Sequence, residues 1–127
     1  MKGLRNLKRV RIYMGERDKP DSGHEPLWEV ILRMLRDQRA SGATVFRGLA
    51  GFGVHSRIHM GRLADVLPDL PVVIEWIDDP ARVERVLPRI GALVKHGTIT
   101  IEDIELVRPT GAEDPASDEL NDDESPT

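Results

Sequence analysis

The sequence contains no cysteine, which rules out a disulfide framework, a thiol nucleophile and a thiolate zinc site. It has no run near the roughly 18 apolar residues that a membrane-spanning helix needs. The N-terminus, Met1 to Arg9, is basic but lacks the apolar centre of a secretory signal, so a cytoplasmic location is expected. Aromatic residues are scarce, with two Trp, two Phe and one Tyr. That scarcity argues against a sheet face that stacks bases, and nucleic acid is not expected as a partner. Positive charge is missing from one end. All eighteen Lys and Arg residues lie at or before Arg108, against fifteen acids in the same stretch, so residues 1–108 carry about +3. The last nineteen residues hold seven acids (Glu113, Asp114, Asp118, Glu119, Asp122, Asp123 and Glu124), three prolines and one large apolar residue, Leu120. Such a segment buries too little surface to offset its chain entropy and is expected to be disordered. It either solubilises the chain or acts as an acidic arm that folds back over a basic cleft or recruits a basic partner.

Between these ends the chain reads as one domain, long enough for one core and too short for a second lobe. Val10, Ile12 and Met14 alternate with Arg9, Arg11 and Tyr13, the period of a half-buried strand. Gly15 to Gly23 reads as a loop, and Pro26 suits the start of a helix. Leu27, Val30, Ile31, Met34 and Leu35 then form the apolar stripe of that helix, with Gly42 as its stop. Residues 43–49 read as a second strand, followed by a glycine-rich connection over 50–69 in which 60–67 has the pattern of a short helix. Leu70 to Asp78 is the strongest strand. Asp79 and Pro80 open a second helix striped by Val83, Val86, Leu87, Ile90 and Val94, with Pro88 predicted to kink it. Thr98 to Val107 closes the series, with an irregularity expected at Glu102-Asp103.

The order strand, helix, strand, strand, helix, strand predicts an α+β, ferredoxin-like βαββαβ sandwich. Its four-stranded antiparallel sheet carries both helices on one face. The division along the chain is a flexible basic N-terminus over 1–7, the folded domain over 8–108 and the acidic tail over 109–127. With Val72, Ile74 and Trp76 turned to the helices, Val73, Glu75 and Ile77 lie on the open face beside Arg11 and Tyr13. Exposed apolar residues flanking Arg11 or Arg47 opposite Glu75 suggest a self-association surface with a charge pair that sets register.

Residues 42–59 contain Gly42-Ala43-Thr44-Val45 leading into Gly51-Phe52-Gly53, then Ser56-Arg57-Ile58-His59. This segment resembles the strand and loop entry of PII signalling proteins. The resemblance is stronger to the bacterial and archaeal PII-like family of unassigned function. Its hallmarks are similar to Val10 to Glu16, Leu70 to Glu75 and Gly97 to Asp103, so the likeness covers roughly residues 8–108. It implies a homotrimer with an adenine nucleotide (AMP, ADP or ATP) as effector in the clefts between subunits, and no required cofactor. It also implies a regulatory loop over 50–69 that docks on a partner such as a membrane transporter or channel.

The site residues follow partly from the likeness and partly from chemistry. Gly51 and Gly53 allow backbone N–H groups to meet an anion, with Phe52 between them. Arg57 offers a forked phosphate donor and His59 a titratable one, and His55 is counted with them in the ligand set. Lys95, Gly97, Thr98 and Arg108 complete the ligand set that the resemblance implies. Lys95-His96-Gly97-Thr98 replaces the glycine- and lysine-rich loop of PII, no tyrosine lies in the loop, and His55 stands where PII has glutamine. These departures point away from nitrogen signalling with 2-oxoglutarate and ATP and towards AMP or ADP.

Two other readings stay open. The spacing of His55 and His59 would converge on a divalent metal only in a helix, and His24 and His96 lie in loops, so a metal-binding trimer is the first alternative. A small phosphate-handling enzyme of the same fold is the second. Acylphosphatases of this fold use an arginine loop and an asparagine, but the only asparagines here are Asn6 and Asn121, one near each end. No nucleophile with a partnered base stands out. The expectation is a binding protein and not an enzyme.

Overall fold

The alternation of apolar and polar residues is realised as a four-stranded sheet in a computed structural model that describes residues 2–52, 59–60 and 69–108. Strand β1 spans Lys2–Gly15, helix α1 Leu27–Asp37 and strand β2 Ala43–Arg47. The two-residue strands β3 (Ala50–Gly51) and β4 (His59–Met60) follow, then β5 (Pro71–Asp78), α2 (Pro80–Leu93) and β6 (Thr98–Arg108). The main sheet has the order β2-β5-β1-β6 with every pairing antiparallel. That is the ferredoxin-like order, in which each helix connection carries the chain across the sheet.

The core lies between the sheet and the two helices. Val10, Ile12 and Met14 of β1 and Val72, Ile74 and Trp76 of β5 are buried, interleaved with half-buried or exposed neighbours on the other face. They meet Leu27, Ile31 and Leu35 from α1 and Val83, Val86 and Ile90 from α2. These helix residues recur at spacings of three and four, so each helix presents one stripe. Leu87 and Val94, also expected on the α2 stripe, are half-buried and pack at its margin.

Several local expectations are corrected. The segment 1–7, expected as a flexible arm, is a strand from Lys2 onward, because β6 pairs with it as far as Lys2↔Arg108. Leu7 is buried, and Arg5 reaches the Asp79 carboxylate. The ladder is continuous through Arg9↔Glu102 and Lys8↔Asp103, so no bulge falls there; the only shift in this pairing lies between Lys2 and Leu4. Ion pairs from Arg9 to Glu102 and from Lys8 to Asp103 hold those two acids in register. Helix α1 ends before Gly42, where Arg39 takes the left-handed conformation with φ of 62°. Asp79 is the N-cap residue of α2 with Pro80 at the first position, but it makes no side-chain capping bond. Its carboxylate is engaged by Arg5 instead. Pro88 sits inside α2, and the residue whose carbonyl it cannot reach, Glu84, is exposed like Pro88 itself. Met60 pairs as a strand with Ala50, while 61–67 of the expected short helix and the acidic tail lie outside the described residues.

At the end of the sheet where β5 stops, one carboxylate gathers four parts of the chain. Asp78 is 1% exposed and accepts from the Ser41 N–H and hydroxyl, each at 2.9 Å. It also accepts from the Trp76 indole at 2.9 Å, the Asp79 N–H at 2.8 Å and Arg82 Nη1 at 3.0 Å. Burial pushes this carboxyl up, but the Ser41, Trp76 and Asp79 donors outweigh it and hold the group below its ordinary value. A depressed pKa contributes stability that is complete above the unfolded value, about 3.9, and is lost as pH falls through the folded one. Asp78→Asn is therefore expected to lose about 3 kcal/mol at neutral pH, because it leaves donors facing no charge. Urea unfolding from pH 7 down to pH 2 checks it. The gap to the parent protein should hold steady above roughly pH 5 and narrow below about pH 4.

Candidate functional site

The opposite end of the sheet is built from turns. β1 leaves through Gly15, whose N–H donates to the Asp18 carboxylate at 3.0 Å, and the Glu16 N–H donates to the Leu70 carbonyl at 2.8 Å. The Arg17 N–H donates to Asp69 Oδ1 at 2.8 Å. A side chain on Gly15 would come within 2.9 Å of both the Asp18 and Asp69 carboxylates, so only glycine lets the two loops close over this point.

Pro71 anchors the neighbouring turn. It opens β5, a strand position at which a missing N–H is tolerated. Its carbonyl accepts the Gly48 N–H at 2.6 Å, and its ring lies where a Cβ on Gly48 or Gly51 would have to go, 2.6 and 3.0 Å away. Held this way, β2 turns outward, and β3 pairs with β4 as Ala50↔Met60 and Gly51↔His59. This ladder is the neck of the 50–69 segment. Leu49 and Phe52 beside it are 90% and 70% exposed.

On the far edge, the turn between α2 and β6 carries Lys95 to Thr98. A Cβ on Gly97 would lie 2.3 Å from the Tyr13 carbonyl oxygen and 2.7 Å from Val94, so this turn packs directly onto β1. Lys95 Nζ pairs with Asp21 Oδ2 at 3.1 Å, tying the turn to the β1–α1 loop. Thr98 stands opposite Tyr13 in the ladder.

The residues singled out in the sequence are thus distributed as follows. Gly51, Phe52 and the backbone of His59 share the neck on the β2 side. Lys95, Gly97 and Thr98 share the turn on the β6 side. Both groups sit at the same end of the sheet, with β5 and β1 between them, about three strand spacings or roughly 14 Å apart. Arg108 is not with them. Paired with Lys2 at the other end of β6, it stands ten residues from Thr98, roughly 33 Å along the strand. Gly53, His55 and Arg57 lie outside the described residues. Sequence reasoning missed the Gly48–Pro71 clamp. Its only signal is a proline at the first position of the strongest strand.

The open face joins the two edges. Glu75 lies opposite Arg11, as expected, with Arg11 Nε 3.0 Å from Glu75 Oε2. Arg11 Nη1 also reaches Glu102 at 3.0 Å, and Arg9 closes on the same carboxylate at 3.1 Å. Arg47, the other candidate for Glu75, pairs with Glu16. Beside this charged row, Phe46, Val73 and Tyr13 stand opposite one another across β2, β5 and β1, with Phe46 51% and Tyr13 40% exposed. Among the described residues, no three His, Asp or Glu side chains gather as a metal site would require. No described helix is long and apolar enough to cross a membrane.

A ferredoxin-like sheet with a laddered loop neck after its second strand defines the class: the fold is that of the PII-like proteins. The chain belongs to the DUF190 family (Uncharacterized ACR), whose model matches residues 7–106. It is 37% identical over 101 residues to a UPF0166 protein of Aquifex aeolicus, covering 79% of this chain and 92% of the relative. Among solved structures it is similar to CPII, a nitrogen regulatory PII-like protein from Thiomonas intermedia bound to ADP, AMP and bicarbonate. That match has a TM-score of 0.57 and 22% identity over 84% of this chain and 93% of the other. A PII-like signaling protein from Thermus thermophilus matches with a TM-score of 0.59 and 17% identity over 84% and 94%.

The close approach at Gly97 is testable by a pair of substitutions. Gly97→Ala is expected to destabilise by about 1–3 kcal/mol, because backbone and not a flexible side chain would have to give way. Gly42→Ala, where an added methyl meets nothing within 4 Å, should change stability by less than about 0.5 kcal/mol. Urea midpoints of the two variants measured side by side provide the comparison.

Proposed function

We propose that this protein is a PII-like regulator, and not an enzyme, that binds an adenine nucleotide in the clefts between the copies of a homotrimer. The nucleotide is ADP or AMP. Binding orders the 50–69 segment, which then docks on a partner protein such as a membrane transporter or channel.

The observation that carries this reading is the placement of the two turns. The Gly51 neck and the Lys95–Thr98 turn lie at one end of the sheet on opposite edges, separated by β5 and β1. A second copy that brings its β6 edge to the β2 edge of the first would put the two turns side by side. One small anion would then meet glycine N–H groups from one chain and Lys95 from the next. The open face supports such an assembly. Its arginines and acids are matched to one another within the chain, while Phe46 and Tyr13 remain exposed beside them. A face of that kind loses apolar surface on association without leaving a bare charge. The nucleotides bound to the similar CPII fold support the choice of ligand.

The test joins mass and heat. Sedimentation velocity is expected to give a particle of three chains, and calorimetric titration is expected to show binding of ADP and AMP. Val73→Asp places a charge in the apolar row and is expected to give single chains that bind neither nucleotide. Lys95→Ala is expected to keep the trimer and weaken ADP about tenfold, or 1.4 kcal/mol. Single chains at all concentrations, with no heat from any adenine nucleotide, would overturn the proposal.

A further inference from the structure

The outer flank of α1 holds a groove of about 480 Å³ that no part of the proposed nucleotide site uses. Its floor is apolar, from Trp28, Leu32 and Ala40, all half-buried. Its rim is basic, from Arg33 and Arg36, with Glu29 as the one acid. Trp28, Leu32 and Arg36 fall four residues apart, so they form a single line along the helix. None belongs to the fully buried stripe of Leu27, Ile31 and Leu35. Arg33 pairs with Glu25, and Arg36 has no ion pair among the described residues.

The chain itself carries a segment of matching chemistry. The family match ends at residue 106, and the nineteen residues after Arg108 hold seven acids and no cation. Their single large apolar residue, Leu120, is flanked by Asp118 and Glu119 on one side and by Asp122, Asp123 and Glu124 on the other. We infer that the acidic tail folds back onto this groove, with Leu120 against Trp28 and Leu32 and its flanking acids against Arg33 and Arg36.

The reach is sufficient. β6 ends at Arg108 opposite Lys2, while Asp78 stands opposite Lys8 and is bonded to Ser41 at the mouth of the groove. Six strand residues separate those levels, about 20 Å, and the sheet is about 14 Å from β6 to β2. The straight distance to the mouth is therefore roughly 25 Å, Leu32 and Trp28 lie about 7 and 14 Å further along α1, and twelve residues from Pro109 to Leu120 extend to about 40 Å. The tail also leaves from the end of the sheet where the groove opens, so it need not cross the loop end. A second copy of the groove is a poor occupant, because a symmetric contact would set Arg33 and Arg36 against their own counterparts.

Because the chain has no cysteine, Ser117→Cys accepts one nitroxide label without competition. In the labelled full-length protein, the Trp28 indole and the amides of Leu32 and Arg36 are expected to lose NMR intensity relative to the reduced label. Leu120→Asp and, separately, Arg36→Glu should each restore that intensity, as should 1 M salt, where the Debye length is about 3 Å. The buried Trp76 gives a second indole signal that reports an intact fold in each variant. Equal intensities with oxidised and reduced label would overturn the inference. So would broadening that appears only when labelled and isotope-enriched chains are mixed, since the tail would then occupy a neighbour. Neither result depends on nucleotide, so failure here is separable from failure of the proposed function.

Discussion

The structure hangs on a carboxylate that water does not reach. Asp78 lies where the last residue of β5, the connection between α1 and β2, and the start of α2 converge. Burying a charge there carries a desolvation penalty of several kcal/mol unless it is matched by donors. It is matched by four N–H groups and a hydroxyl, two of them from Ser41. These bonds are directional, so they fix where the α1–β2 turn sits, and with it the height of α1 over the sheet. The apolar core alone would tolerate sliding along the strands by small amounts. The bonds to one carboxylate would not.

The two ends of the sheet are therefore built on different principles. At the Asp78 end, charge is buried and satisfied, and the N-terminal ribbon of β1 and β6 is tied on through Arg5 and Asp79. At the other end, closeness is achieved by having no side chain at all: Gly15 beneath two carboxylates, Gly48 and Gly51 on the Pro71 ring, Gly97 on the Tyr13 carbonyl. Glycine turns leave backbone groups accessible. The stiff end sets the strand register, and the register carries the two glycine turns to their places.

Most of the fold was legible because it follows from period. Val10, Ile12 and Met14, then Val72, Ile74 and Trp76, announce which face is inside, and Arg11 opposite Glu75 follows from that facing. What was not legible depended on partners distant in sequence. Nothing in Lys2 to Leu7 has the pattern of a strand; the pairing with residues 104–108 makes it one. Glu102-Asp103 suggested an irregularity only until Arg9 and Lys8 stood across from them. Gly42 was the natural stop for α1, yet Arg39 adopts φ of 62° and ends it sooner. For the site, local motifs identified the glycines of both turns, but not that the turns lie on opposite edges. Arg108 was grouped with them by the family resemblance, and a strand of that length puts its two ends far apart within one chain.

That separation bears on how the family domain is used. The matched region, 7–106, contains nearly the whole sheet, both helices and both turns, so everything the proposed clefts need lies inside it. The residues after Arg108 add charge of one sign and one leucine. An acidic extension held on α1 would keep its seven charges along that helix, on the helix-covered side of the sheet. Released, the same charges could approach the loop end of a neighbouring copy and compete there with any anion for Lys95 and the glycine N–H groups. Whether the tail is held or free would then change the apparent affinity of the clefts without altering a residue in them, since a competing anion lowers the fraction of sites open to ligand.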